Sequence, residues 1–167
     1  GRRPSIYGLN PRAGYFVGVE VRAHHISMAI TDFKGEICDY QEDIPFAVEK
    51  TEASFKALCD FLNDNIGKAG FDRSKILAYG FNFSGRVNSE TGYCFSDIIS
   101  EGRTVCDILK DELEAEGYVE NDSRAMTYGE YICGAGNNEK NVLFLNVTWG
   151  LGMGMIIDGK LSYGKSG

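Results

Sequence analysis

Gly14-Tyr15-Phe16-Val17-Gly18-Val19-Glu20-Val21 is a nearly continuous apolar run; Arg22-Ala23-His24-His25 interrupts it, and Ile26-Ser27-Met28-Ala29-Ile30 resumes with apolar and polar residues in alternation. Successive side chains of a strand point to opposite faces, so this layout predicts strand, turn, strand over 17–30. Asp32-Phe33-Lys34-Gly35 supplies turn chemistry before Glu36 to Tyr40, which adds a third strand to an antiparallel set joined by tight turns. After Thr51 the period changes: Phe55, Leu58, Cys59, Leu62 and Ile66 fall at helical spacing, and Gly67 and Gly70 are expected to end the helix. Lys75 to Phe81 reads as a short buried strand, and Thr104 as the cap of a helix whose apolar stripe is Val105, Ile108, Leu109 and Leu113. A strand ending at Val119 and a helix from about Ser123 to Cys133 follow. The order βββαβαβα predicts an α/β fold, a mixed sheet with helices packed on its faces.

Gly134-Ala135-Gly136-Asn137-Asn138-Glu139-Lys140 is small and polar, the composition of a linker. Beyond it Val142 to Val147, Met153 to Asp158 and Leu161 to Tyr163 read as strands, with Asp158-Gly159 as a hairpin turn. Gly150, Gly152 and Gly154 stand between strands rather than before a helix, which disfavours a dinucleotide site. The expected organisation is a linker over 1–13, a first lobe over 14–134, a linker over 135–140, and over 141–167 the opening strands of a second lobe, whose covering helices lie outside the chain.

At 167 residues and 43% hydrophobic the chain can bury a core of ordinary size. The net charge of −7 leaves no basic stripe for a phosphate backbone, so these residues are not expected to bind nucleic acid; Arg2-Arg3 beside Pro4 is read as a solvated tail. No stretch approaches the roughly 20 apolar residues of a membrane span, and a cytoplasmic setting without membrane partners is the expectation. Cys38, Cys59, Cys94, Cys106 and Cys133 are odd in number and contain no C-x-x-C pair, which predicts reduced, mostly buried thiols and neither a disulfide framework nor structural zinc.

Four segments in order resemble the ROK family of repressors and sugar kinases, specifically its repressor branch. They are Gly1-Arg2-Arg3-Pro4 with Leu9-Asn10-Pro11 and Tyr15 to Val19; Arg86-Val87-Asn88-Ser89-Glu90-Thr91-Gly92; Glu120-Asn121-Asp122; and Gly150-Leu151-Gly152-Met153-Gly154 with Ile157-Asp158-Gly159-Lys160. The resemblance implies an actin/hexokinase-like, ribonuclease H-like ATPase-type lobe with a sugar or sugar phosphate in a cleft. It implies a winged helix-turn-helix upstream of Gly1, through which alone DNA would be reached, and a metal-binding segment after Gly167. No cofactor is expected within these residues, zinc belonging only to that later segment. Homo-oligomers are expected as well, because the 142–163 strands would expose apolar faces and unpaired edges.

Against the kinase pattern of that family, two phosphate loops are altered. An acid, one residue and Gly-Gly-Thr are replaced by Glu20-Val21-Arg22-Ala23-His24, and Gly-Thr-Gly by Thr148-Trp149-Gly150. Glycines let a backbone approach phosphate and offer its N–H groups, so side chains in their place obstruct the approach. His24-His25 is read as an inert turn pair, and Trp149 as a packing or interface residue. Asp122 matches the base that would take a proton from a sugar hydroxyl if the protein were a kinase, and its alternative is to cap helix 123–133. Asn121 is a candidate donor to a sugar hydroxyl; Glu120 either contacts sugar or simply ends the strand. Ser84, Gly85 and Asn88 of the preceding loop complete the expected sugar site. The family's further Asn is missing from Cys94 to Ile99, where Ser96 or Asp97 would substitute, and Tyr93 to Ile99 alternatively forms a hairpin arm. The expected function is sugar sensing by a transcriptional regulator without kinase activity; the alternatives are an ATP-dependent sugar kinase and a dimerising scaffold.

Overall fold

The computed structural model describes residues 6–49, 51–94, 103–136, 139–148 and 150–165. Strands β1 (Tyr15–Val21), β2 (His25–Asp32) and β3 (Ile37–Pro45) form the expected antiparallel set. Helix α1 (Glu52–Lys68) leads to β4 (Ile76–Phe83), which lies parallel to β1. A two-residue hairpin, β5 (Val87–Asn88) with β6 (Tyr93–Cys94), precedes α2 (Val105–Leu113), and β7 (Glu116–Asn121) adds parallel to β4. The five-stranded sheet runs β3-β2-β1-β4-β7.

Helices α1 and α2 cover one face of this sheet because their apolar stripes match its inward residues. Phe55, Leu58, Cys59, Leu62 and Ile66 of α1 and Val105, Ile108, Leu109 and Leu113 of α2 are buried with Val17, Val19, Ile26, Met28, Ile30, Tyr79 and Phe81. Thr51 caps α1 by accepting from the Ser54 N–H, and Thr104 with Asp107 forms a reciprocal capping box on α2. Gly67 is not the terminator expected of it: α1 continues through Lys68, and Gly70, at φ +85°, reverses the chain. Of the cysteines Cys59 and Cys94 are buried, whereas Cys38 and Cys133 are exposed, so the thiols are less uniformly interior than expected.

Helix α3 (Asp122–Cys133) follows β7 without a break and packs on a second sheet of β8 (Val142–Val147), β9 (Leu151–Ile157) and β10 (Lys160–Leu161), all antiparallel. The second sheet is therefore not left without a helix, contrary to expectation: α3 covers one of its faces. The contact is made by close approach. A Cβ on Gly152 would lie 2.0 Å from Ser123 Oγ, and one on Gly154 would lie 2.0 Å from Thr127 Oγ1 and 2.9 Å from the Ser123 carbonyl. The hairpin turn sits where expected, with Asp158 at φ 50° and Gly159 at φ 76°. On the opposite face Leu143, Leu145, Val147, Leu151, Met153 and Ile157 are exposed. No helix of the described residues is long and apolar enough to cross a membrane.

Candidate functional site

Strands β4 and β7 are parallel neighbours with Phe83 opposite Asn121, so their carboxyl ends deliver Ser84-Gly85 and Asn121-Asp122 to one edge of the sheet. Such edges are where open α/β sheets hold ligands. Ser84 Oγ donates to Asp122 Oδ2 at 2.7 Å, and Asn121 Nδ2 donates to the Gly85 carbonyl at 2.9 Å and to Asp122 Oδ1 at 3.0 Å. The Ser123 N–H donates to Asp122 Oδ1 at 2.6 Å. Asp122 is thus the first residue of α3, its carboxylate set against the positive end of the helix dipole. The cap is Asn121, whose Oδ1 accepts from the Arg124 N–H at 3.0 Å, so the capping role considered for Asp122 belongs to its neighbour.

These four residues line a cavity of about 940 Å³, whose other walls are the β1–β2 turn and the β8–β9 turn. Arg22, Ala23, His24 and His25 face it from the first turn, and Thr148, Gly150 and Gly152 from the second. The Arg22 guanidinium binds Glu20 at 2.8 Å and Asp43 at 3.0 Å, and its hydrogen bond to Glu20 raises its pKa from an already high value. Where two glycines would open the backbone to phosphate, this turn carries a cation already held by carboxylates. In the second turn the Thr148 N–H donates to the Gly150 carbonyl at 3.0 Å. Trp149, and with it the packing role expected of its indole, lies outside the described residues, as do Ser96 and Asp97 and the arm over 95–99. Among the described residues no group of three His, Cys, Asp or Glu side chains is placed to hold a metal ion.

The remaining two candidates are occupied locally. Asn88 Oδ1 accepts from the N–H groups of Glu90 and Thr91, both at 3.1 Å, an Asx turn that shapes the loop. Glu120 accepts from Arg124 Nε at 2.6 Å and faces a separate cavity on the open side of the sheet. Sequence reasoning missed Arg124. It is buried, bonds Glu120, donates from Nη2 to the Val87 carbonyl at 2.6 Å, and lies with its guanidinium carbon 5.2 Å from the centre of the Tyr163 ring. No helical spacing signals the pair, because Glu120 belongs to β7 and Arg124 to α3, and the turn from strand to helix brings them together.

A family model described as "ROK family" matches residues 16–167. The xylose repressor of Bacillus spizizenii is 27% identical over 169 residues, covering 100% of this chain and 44% of the repressor. A ROK family transcriptional regulator, a homologue of the Escherichia coli MLC protein, superposes with a TM-score of 0.78 at 20% identity, over 95% of this chain and 40% of that one. A ROK family glucokinase of Streptomyces griseus, solved with glucose and AMPPNP, superposes with a TM-score of 0.73 at 26% identity, over 91% of this chain and 47% of the kinase. The chain therefore spans less than half the length of these relatives, and the fold it shares with them is the actin/hexokinase type.

Proposed function

The chain belongs to the ROK family, and from that premise we propose that it forms part of the effector-sensing region of a sugar-responsive transcriptional regulator. A sugar or sugar phosphate is held by Asp122, Asn121, Ser84 and Gly85, with Glu120 and Asn88 holding the shape of the site from behind. DNA is reached only through a separate winged helix-turn-helix domain, in a cytoplasmic, oligomeric protein. The observation that carries this reading is the pairing of a hydrogen-bonded knot, Ser84–Asp122–Asn121–Gly85, with a first turn whose Arg22 is pinned to Glu20 and Asp43. A site of this kind retains acceptors and donors for sugar hydroxyls and obstructs the place where a nucleotide's phosphates would lie.

Because α3 carries Asp122 at its start and packs on Gly152 and Gly154 along its length, a ligand at Asp122 acts on both sheets through one rigid element. It shifts the protein only as far as it binds one arrangement better than the other.

Calorimetry of the full-length protein against hexoses, pentoses, amino sugars and their phosphates tests the reading. Asp122→Ala is expected to weaken the sugar that binds by about ten- to a hundredfold, the loss of a charge-assisted hydrogen bond of about 1.5–3 kcal/mol. Unchanged affinity with a lowered Tm would make Asp122 a purely structural residue. The second reading, an ATP-dependent sugar kinase with Asp122 as general base, is favoured by the likeness to the Streptomyces griseus glucokinase. Sugar-dependent ATP turnover that disappears in Asp122→Asn would establish it. A protein that binds no sugar and only self-associates would be the scaffold instead.

A further inference from the structure

Arg124 is the one buried cation among the described residues, and its two ends differ. Nε and Nη2 are committed to Glu120 and to the Val87 carbonyl, which accounts for half of the guanidinium as a bracket between β7 and the 84–88 loop. Nη1 has no acceptor among the described residues, and Arg124 lines a cavity of about 280 Å³ beside the candidate site. A bracket needs no cavity at its far end. Arg86 lines the same wall, and among the described residues these two are the only charged side chains that line it. Asn121, Ser162 and Tyr163 add polar groups, and Gly85, Asn121 and Met153 are shared with the 940 Å³ cavity, so the two spaces adjoin.

We propose that the smaller cavity is an anion subsite, which takes the phosphate or carboxylate of an acid-bearing sugar whose hydroxyls lie at Asn121 and Asp122. The inference rests on the sugar-sensing reading and narrows it to anionic sugars. A guanidinium offers a planar fork of donors that matches both acid groups, and a buried one is already desolvated and positioned. Glu120 lines a different cavity and holds Arg124 in orientation without facing the ligand. Asp122, at the other end, repels the same acid, so the arrangement of charges fixes which way round the ligand enters.

The test is calorimetry on the full-length protein with matched probes: glucose, glucose 6-phosphate and glucuronate, and N-acetylglucosamine with its 6-phosphate. At least one acid-bearing probe is expected to bind about tenfold or more tighter than its neutral parent. R86Q, at an exposed position, is expected to shrink that ratio about tenfold, and R124K to shrink it less. The phosphate and carboxylate arms identify which acid is taken. Neutral parents binding as tightly as every acid would overturn the subsite and leave sugar sensing standing; binding of none of the probes would overturn both. A variant that weakens acid and neutral sugars equally would show that Arg86 and Arg124 only support the fold.

Discussion

On the five-stranded sheet α1 sinks Phe55, Leu58, Cys59, Leu62 and Ile66 into the core, whereas on the three-stranded sheet the residues α3 buries are Ser123, Arg124 and Thr127. The first contact is held by apolar area. The second is held by proximity: glycines at 152 and 154 remove side chains so that the helix backbone comes near the strand, and polar atoms at the contact bond within α3 and to its neighbours. The difference bears on the proposed site, because the helix seated by proximity is the one that carries Asn121 and Asp122 at its start. Its position is set by atoms that tolerate little displacement, and the site moves with it.

The largest expected effect lies on the apolar side. Phe55 is fully buried, and its ring centre lies 6.1 Å from that of Phe83, so Phe55→Ala removes a large volume from the core that α1 and α2 share. A loss of about 3–5 kcal/mol is expected in urea unfolding. A loss below about 1 kcal/mol would mean that α1 contributes little to holding the sheet.

Next in size is Gly154→Ala. Its new methyl meets Thr127 Oγ1 at 2.0 Å and the Ser123 carbonyl at 2.9 Å, and a carbonyl within a helix cannot rotate away. Overpacking of about 1–3 kcal/mol is expected, together with weaker sugar binding as α3 is pushed out. Gly152→Ala is expected to cost less, since there the 2.0 Å contact is the Ser123 hydroxyl, which can turn, and Ser123→Ala in the same chain should recover part of the loss. Equal costs at 152 and 154, with no recovery, would break the idea that backbone proximity decides this interface.

The two regions were also unequally legible. The strand, turn and strand over 17–30, the stripes of α1 and α2 and the cap Thr104 follow from side-chain type and are legible in the sequence alone, whereas Thr51 marks only a change of period there and its capping bond comes from the structure. What α3 packs against is not legible there. Its buried face of Ser123, Arg124 and Thr127 carries no apolar period, and nothing in the sequence marks Gly152 and Gly154 as room for a helix. Asn121 and Asp122 do lie beside Ser84 and Gly85, an adjacency that the order of motifs implies. The division of labour between them, Asn121 as cap and Asp122 facing the cavity, needed the backbone, because helix ends shift by a residue or two for any sequence rule.

A smaller effect belongs to α2. Asp107 accepts from the backbone N–H and the hydroxyl of Thr104, and these bonds, the backbone one foremost, lower its pKa from the ordinary 3.8. A carboxyl whose folded pKa is depressed contributes stability above its unfolded value and loses it as pH falls through the folded one. Asp107→Asn should therefore destabilise at neutral pH and approach the parent's stability as pH falls below 3.8. Thr104→Ala, which also removes the cap acceptor, should cost about 1 kcal/mol in thermal unfolding. A penalty for Asp107→Asn that persists undiminished at pH 3 would separate Asp107 from the cap.

The smallest effect is the sharpest control, because it places the same substitution on the other sheet. Gly18 lies mid-strand in β1, directly opposite Ala29 on β2 and Gly80 on β4, and a Cβ there meets nothing within 4 Å. Glycine in a strand interior loses more chain entropy on folding than alanine does, so Gly18→Ala should be neutral or stabilise by about 0.5–1 kcal/mol, where Gly154→Ala destabilises. Measured side by side on this 167-residue chain, opposite signs would show that space, and not glycine's backbone freedom, separates the two positions. Repeated in the full-length protein, the pair becomes a probe of the open face. If Gly18→Ala turns costly there, something has come to lie on the strip of Ala29, Gly18 and Gly80, and the contrast between an open sheet and one closely covered by a helix would hold only for the isolated chain.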